Sequence, residues 1–194
     1  MASVLMSSVC AFAQHEVGTL TIQPKAGLNI ANYTNSGSSD PRYGLAVGAE
    51  LEYQITNVFS MSAGALYSMQ GAKESGTVDG IRAKATAKTD YINMPIMANI
   101  LVGKGISLKF GIQPAFNVSA DYEVSAQGIT VSGSLSDFGV DINSFDFAIP
   151  VGISFESRNF VLDGRYNIGV TKMVDGDNSK NSVFQFTVGY KFNL

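Results

Sequence analysis

The chain has 194 residues, enough for one domain, and its formal net charge of −3 gives nucleic acid no electrostatic handle. Only 15% of residues are charged while 20 are glycine, against roughly a quarter charged in a typical soluble domain, so a fully wetted surface is not expected. Past the N-terminal segment no apolar run approaches the ~20 residues of a spanning helix, so any membrane crossing must be made by strands closed into a barrel, where every backbone polar group is paired.

Residues 1–13 read as a signal peptide: Val4 to Ala13 is apolar and ends in Ala11-Phe12-Ala13 before Gln14, a small-x-small cleavage pattern. The basic residue that usually precedes such a stretch is missing, so the start is expected to be truncated or wrongly chosen. Cys10 lacks the Leu that a lipoprotein signal places three residues earlier. Removal of the segment leaves residues 14–194 as one domain without cysteine, which excludes disulfides and thiol chemistry.

From there the chain alternates. Leu20, Ile22, Leu28 and Ile30 oppose Thr21, Gln23, Lys25 and Asn29; Tyr43, Leu45, Val47, Leu51 and Tyr53 oppose Gly44, Gly48, Glu50 and Glu52. A third strand sets Phe59, Met61, Tyr67 and Met69 against Ser60, Ser62, Gly64, Ser68 and Gln70, and a fourth sets Ile92, Met94, Ile96 and Ile100 against Asn93, Pro95 and Asn99. The longest, the fifth, runs from Ile106 to Tyr122, with Phe110, Phe116, Val118 and Tyr122 on the apolar face and Lys109, Gln113, Asn117 and Asp121 on the other. Phe147 to Phe155, Phe160 to Val170 and Val183 to Phe192 complete eight strands. A strict period of two describes a ribbon between two unlike environments.

The connections alternate as well. Thr56-Asn57, Gly103-Lys104-Gly105 and Ser157-Arg158-Asn159 are tight turns, while Asn32 to Pro41, Gly71 to Lys88, Ser125 to Ser144 and Lys172 to Asn181 read as long loops. Short turns on one rim and long loops on the other mark an outer-membrane barrel, with both termini on the periplasmic side. The rival is a soluble, lipocalin-like ligand-binding barrel, whose polar face would be its outer surface and would be rich in Lys and Glu. Here that face is mainly Gly, Ser, Ala, Asn and Gln, which suits an eight-stranded interior filled by side chains. Tyr53, Phe59, Phe155, Phe160, Tyr190 and Phe192 are expected at one membrane interface and Tyr43, Tyr67, Phe116, Tyr122, Phe145 and Phe147 at the other.

The mid-strand charges balance: Lys25, Lys109, Arg165 and Lys191 against Glu50, Glu52, Glu156 and Asp163. Away from bulk water they persist as hydrogen-bonded pairs, so they are expected to form a structural network in the lumen. The single histidine, His15, lies at the start of the mature chain, away from the carboxylates. Neither a nucleophile–base pair nor a transition-metal site is expected, and the protein is not expected to be an enzyme or to need a cofactor. In the second long connection Arg82, Lys84 and Lys88 fall in outward register, where they would contact lipopolysaccharide phosphates. The next connection is acidic, with Asp121, Glu123, Asp137, Asp141 and Asp146, and its attraction to the basic connection beside it is expected to fold both over the mouth as a loose, salt-sensitive lid. Ser132-Gly133-Ser134 and Ser36-Gly37-Ser38-Ser39 read as loop tips.

Three segments carry a resemblance: Tyr91-Ile92-Asn93-Met94-Pro95-Ile96, Asp163-Gly164-Arg165-Tyr166-Asn167-Ile168-Gly169-Val170, and the closing Phe184-Gln185-Phe186-Thr187-Val188-Gly189-Tyr190-Lys191-Phe192. In their order and spacing the chain resembles the PorT-like outer-membrane β-barrel proteins of Bacteroidetes-type bacteria. The resemblance implies an all-β, eight-stranded antiparallel up-and-down transmembrane β-barrel of the OmpA and OmpX type, inserted by the barrel assembly machinery. Together with the residue patterns it leads to a monomeric barrel with a packed lumen and a structural or surface-interaction role, its partners being membrane lipid, lipopolysaccharide and an unidentified envelope or extracellular protein. A narrow channel or a secretion-associated barrel is the alternative.

Overall fold

A computed structural model of the chain describes residues 16–34, 39–78, 81–126, 129–134, 143–172 and 179–194. The expected signal peptide, His15, Asp137 and Asp141 lie outside the described residues, as does the Ser36-Gly37-Ser38 part of the first loop tip.

The strands are β1 (Leu20–Thr34), β2 (Ser39–Gln54), β3 (Phe59–Val78), β4 (Ile81–Asn93), β5 (Ile96–Gly103), β6 (Ile106–Ala126), β7 (Ile129–Ser134), β8 (Phe145–Ser157), β9 (Phe160–Gly169), β10 (Lys180–Tyr190) and β11 (Phe192–Asn193).

 The sixth of these, β6, begins at Ile106 and ends at Ala126. All pairings are antiparallel, and they close into a ring of eight: β1, β2, β3, β4 continued by β5, β6, β8 with β7 above it, β9, and β10 continued by β11. The seam joins β1 to β10 from Lys25↔Gly189 to Thr34↔Lys180 and to β11 at Thr21↔Asn193 and Ile22↔Phe192.

Two ring strands are interrupted for identifiable reasons. Pro95 has no N–H to give the ladder, so β4 and β5 part at Met94-Pro95, where Met94 N donates to Pro114 O at 2.8 Å and Gly64 N to Pro95 O at 3.1 Å. At Lys191 the ladder of β10 gives way to an exchange with the neighbouring turn: Lys191 N donates to Asn159 O and Asn159 Nδ2 to Lys191 O, both at 2.8 Å. The tight turns use left-handed backbone. Gly103, Lys104 and Gly105 have φ of 138°, 48° and 77°, and Arg158 has φ of 57°. Both described chain ends lie at the short-turn rim, where Gly18 N donates to Gln54 O and Leu194 N to Leu20 O.

The faces are inverted relative to a soluble protein. Along β10 the exposures run 50% at Phe184, 1% at Gln185, 55% at Phe186, 4% at Thr187 and 53% at Val188. Apolar side chains therefore cover the outside and polar ones fill the inside, the reverse of a lipocalin-like barrel. Rings meet at both rims: Phe160 and Tyr190 at 5.0 Å near the short turns, and Phe116 and Phe145 at 5.6 Å near the other end.

Three expectations need correction. The stretch from Gly71 to Lys88 is strand for most of its length, since β3 runs to Val78 and β4 starts at Ile81; Ser132-Gly133-Ser134 likewise belongs to β7. The sequence of these extensions carries no alternation of large apolar side chains, as expected of strands whose two faces meet like environments. Second, the β4–β6 register shifts between Asp90 and Tyr91, where Asp90 faces Ser119 and Tyr91 faces Asn117, leaving Val118 as a bulge. The bulge reverses the alternation beyond it: Asp121 pairs with outward Lys88, and Tyr122 shares the inward face of Ala87 and Thr89 instead of joining the outer aromatic girdle. Third, Asp146 is not in a loop; it starts the buried face of β8, accepting hydrogen bonds from Asn181 Nδ2 at 2.8 Å and from Thr171 Oγ1.

Candidate functional site: a charge network across the lumen

The period of two sends Lys25 of β1, Glu50 of β2, Lys109 of β6, and Asp163 and Arg165 of β9 into the lumen, each at most 4% exposed. Asp163 and Arg165 are two apart on one strand and share a face, so the guanidinium forks onto its neighbour: Nε to Oδ1 and Nη2 to Oδ2, both 2.8 Å. Lys109 Nζ reaches the same carboxylate at 2.9 Å and Lys25 Nζ at 3.5 Å. From the opposite wall Glu50 lies 3.1 Å from Lys25, 3.7 Å from Lys109 and 2.9 Å from Arg165 Nη1, the last an ion pair not aligned as a hydrogen bond. Three cations thus surround two carboxylates and tie four strands together through the centre of the barrel.

A second group sits nearer the short turns. Lys191 Nζ lies 3.0 Å from Glu52 and 2.7 Å from Glu156, and Ser60 Oγ donates to Glu52 at 2.7 Å. One ammonium between two carboxylates leaves an excess of one negative charge, which offsets the positive excess of the first group. All eight charged residues proposed from the sequence for the lumen are therefore inside, in two groups at different heights. Amides and hydroxyls fill the rest: Asn29 Nδ2 donates to Ser68 Oγ at 2.9 Å and Asn99 Nδ2 to Ser60 and Ser62 Oγ at 3.2 and 3.3 Å.

Arg42 escaped notice in the sequence although it shares the parity of Glu50. It is buried beside a β2–β3 register shift between Pro41 and Ala46, donates to Gln70 O, and lies 3.5 Å from Asp90, which also accepts from Tyr67 Oη at 2.6 Å. Outside the barrel, Lys84 is exposed, whereas Lys88 is half-buried and bonded to Glu123 across the β4–β6 ladder. That hydrogen bond, followed by the charge of Lys88, holds the Glu123 carboxyl below the usual carboxylate range. Here the described parts of the basic and acidic segments meet as neighbouring strands. The side chain of Arg82 lies outside the described residues.

Comparison with known proteins gives the fold a context. The family model for the outer membrane protein beta-barrel domain matches residues 12–175. Among solved structures the chain is similar to Ail, the attachment invasion locus protein of Yersinia pestis, in its complex with the heparin analogue sucrose octasulfate: 16% identity, 91% of this chain and 100% of that one covered, TM-score 0.50. It is also similar to Neisserial surface protein A, with 14% identity, 89% and 97% coverage and a TM-score of 0.48. OprG from Pseudomonas aeruginosa shares 10% identity, with 93% and 98% coverage and a TM-score of 0.44. No curated protein matches the chain. At such identities the likeness concerns the fold alone.

Proposed function

The chain belongs to the outer membrane protein beta-barrel domain family and is therefore a protein of the outer membrane, and from that premise we propose that it is a non-conducting barrel that presents its strand extensions at the cell surface. The observation that supports this reading is the ion-pair network, whose five side chains occupy the middle of the lumen with at most 4% exposure each. An interior of eight strands is just wide enough for side chains to fill, which supports a packed lumen in this reading. The eight lumen charges have a structural role: their carboxylates are held by ammonium and guanidinium groups, which leaves none poised as an acid or base.

The short turns and both termini face the periplasm in this reading, and β3, β4, β6 and β7 project outward to meet an envelope or extracellular partner. Insertion is by the barrel assembly machinery, as a monomer, after cleavage behind Ala13. A narrower placement in the PorT-like group rests on the three segments from Tyr91, Asp163 and Phe184; equal similarity of those segments to unrelated small barrels would remove it. Lys84, with Arg82 and the already paired Lys88, supplies the basic groups for lipopolysaccharide phosphates. One preparation tests both halves of the proposal. The refolded protein is expected to give no conductance steps in a planar bilayer, and the Arg82→Gln, Lys84→Gln, Lys88→Gln protein to co-purify with less lipopolysaccharide. Regular steps would make it a channel, and unchanged lipopolysaccharide would discard the phosphate contact.

A further inference from the structure

Gly164 breaks the apolar cover of the barrel. It lies in outward register on β9, paired with Ile153 on one side and Phe186 on the other. A Cβ placed there would meet only the Phe186 ring, at 3.5 Å. The missing side chain opens a groove of about 580 Å³ walled by Ile106, Ile153, Phe155, Leu162, Phe186 and Val188, within the span of about 300–1,000 Å³ common to ligand pockets. The groove is on the lipid-facing wall toward the short-turn rim, since Ile106 follows Gly105 directly and Phe155 precedes the Ser157-Arg158-Asn159 turn.

Two cations stand at that rim. Lys104 and Arg158 are exposed at the tips of neighbouring turns, which are held together where Glu156 N donates to Gly105 O at 2.8 Å. Neither has an ion-pair partner among the described residues. Of the carboxylates at that end, Glu52 and Glu156 point inward to Lys191, while Glu16 and the C-terminal carboxylate of Leu194 lie by the start of β1. An apolar groove with unopposed positive charge one turn away matches an amphiphile whose chain is hydrocarbon and whose head is anionic.

We propose that the Gly164 groove and the Lys104–Arg158 rim form a binding site for an anionic phospholipid, one acyl chain lying along Gly164 and its phosphate facing the two cations. The site rests on the reading that the short-turn rim meets a phospholipid leaflet. Symmetric vesicles supply phospholipid at both ends, so the site is tested whichever way the protein points.

The chain contains no tryptophan, so a single introduced one reports a single place. Phe155→Trp, at the groove, and Val47→Trp, on the far lipid face, are each refolded as the full chain into vesicles of phosphatidylglycerol and phosphatidylcholine, with one or the other carrying brominated acyl chains that quench fluorescence. Each Trp is referred to its own quenching in the pure lipids, which removes any difference in depth. The expected result is a preference for phosphatidylglycerol of about fivefold or more at Phe155→Trp, the effect of one or two basic residues at an anionic surface, against almost none at Val47→Trp. Lys104→Gln with Arg158→Gln, and separately Gly164→Leu, which fills the groove where space allows a side chain, should each abolish the preference while the barrel stays folded. Equal preference at both reporters, or a preference that survives the two glutamines, overturns the site. Quenching at Phe155→Trp that falls as protein concentration rises would also overturn it, by assigning the groove to a second copy of the chain.

Discussion

Asp163→Asn is expected to destabilise the folded barrel by about 3–5 kcal/mol, whereas Lys25→Met is expected to be near neutral. Asp163 accepts two hydrogen bonds from Arg165 and one from Lys109, and lies 3.5 Å from Lys25. Without its charge three buried cations share Glu50 alone, and uncompensated charge away from water is costly. Loss of Lys25 has the opposite consequence: Lys109 and Arg165 still reach both carboxylates, and two cations then face two anions. Urea unfolding in lipid vesicles, followed by the gel shift between folded and heated barrel, measures both. Equal costs for the two variants would mean that the network is not organised by its charge balance.

Gly27→Val is expected to prevent closure of the barrel. Gly27 sits in the β1–β10 seam opposite Thr187, and a Cβ there would lie 1.9 Å from the Phe186 carbonyl oxygen and 2.6 Å from Thr187 Cα. Both are backbone atoms, which cannot swing aside as a side chain does. The seam must part, exposing unpaired edges of the first and last ring strands to hydrocarbon. A loss of at least about 2 kcal/mol, in the range of overpacked cores or beyond, or absence of the heat-modifiable folded form is the expected result. Gly164→Ala serves as the control, since its Cβ meets only a ring at ordinary contact distance. Wild-type folding of Gly27→Val would show that the seam is looser than drawn.

The contrast between these glycines explains how much of the fold the residues disclose by themselves. Within the membrane each strand separates lipid from lumen, so alternation at Phe184 to Val188 or Ile106 to Ile112 states both the strand and its orientation. The contrast ends at the water line. Ala83 to Ala87 and Ile129 to Ser134 are paired strand, but their residues carry no sustained period of two that separates large apolar from polar side chains. The bulge at Val118 inserts one residue without a glycine or proline to announce it, so Asp121 and Tyr122 changed faces unseen. For the lumen charges, parity tells which way a side chain points but not at what height, because height depends on strand tilt and register. Lys191 therefore could not be separated in advance from Lys25 and Lys109, nor matched with Glu52 and Glu156. Arg42 and Asp146 obey parity and are legible by it, but Arg42 stands one residue before the alternation that opens at Tyr43, and the acidic run before Asp146 groups it with the connection.

A nitroxide scan along β10, in a chain whose only cysteine, Cys10, is replaced by Ser, tests the central claim most directly: lipid on one face of each strand and a filled, closed lumen on the other. Labels at Phe184, Phe186 and Val188 should collide readily with oxygen, which partitions into hydrocarbon, and poorly with a water-soluble nickel chelate. Labels at Gln185 and Thr187 should be immobile and reach neither. Nickel access at Gln185 and Thr187 would contradict the account by revealing a water-filled channel, and nickel access at Phe184, Phe186 and Val188 would contradict it by placing that face in water.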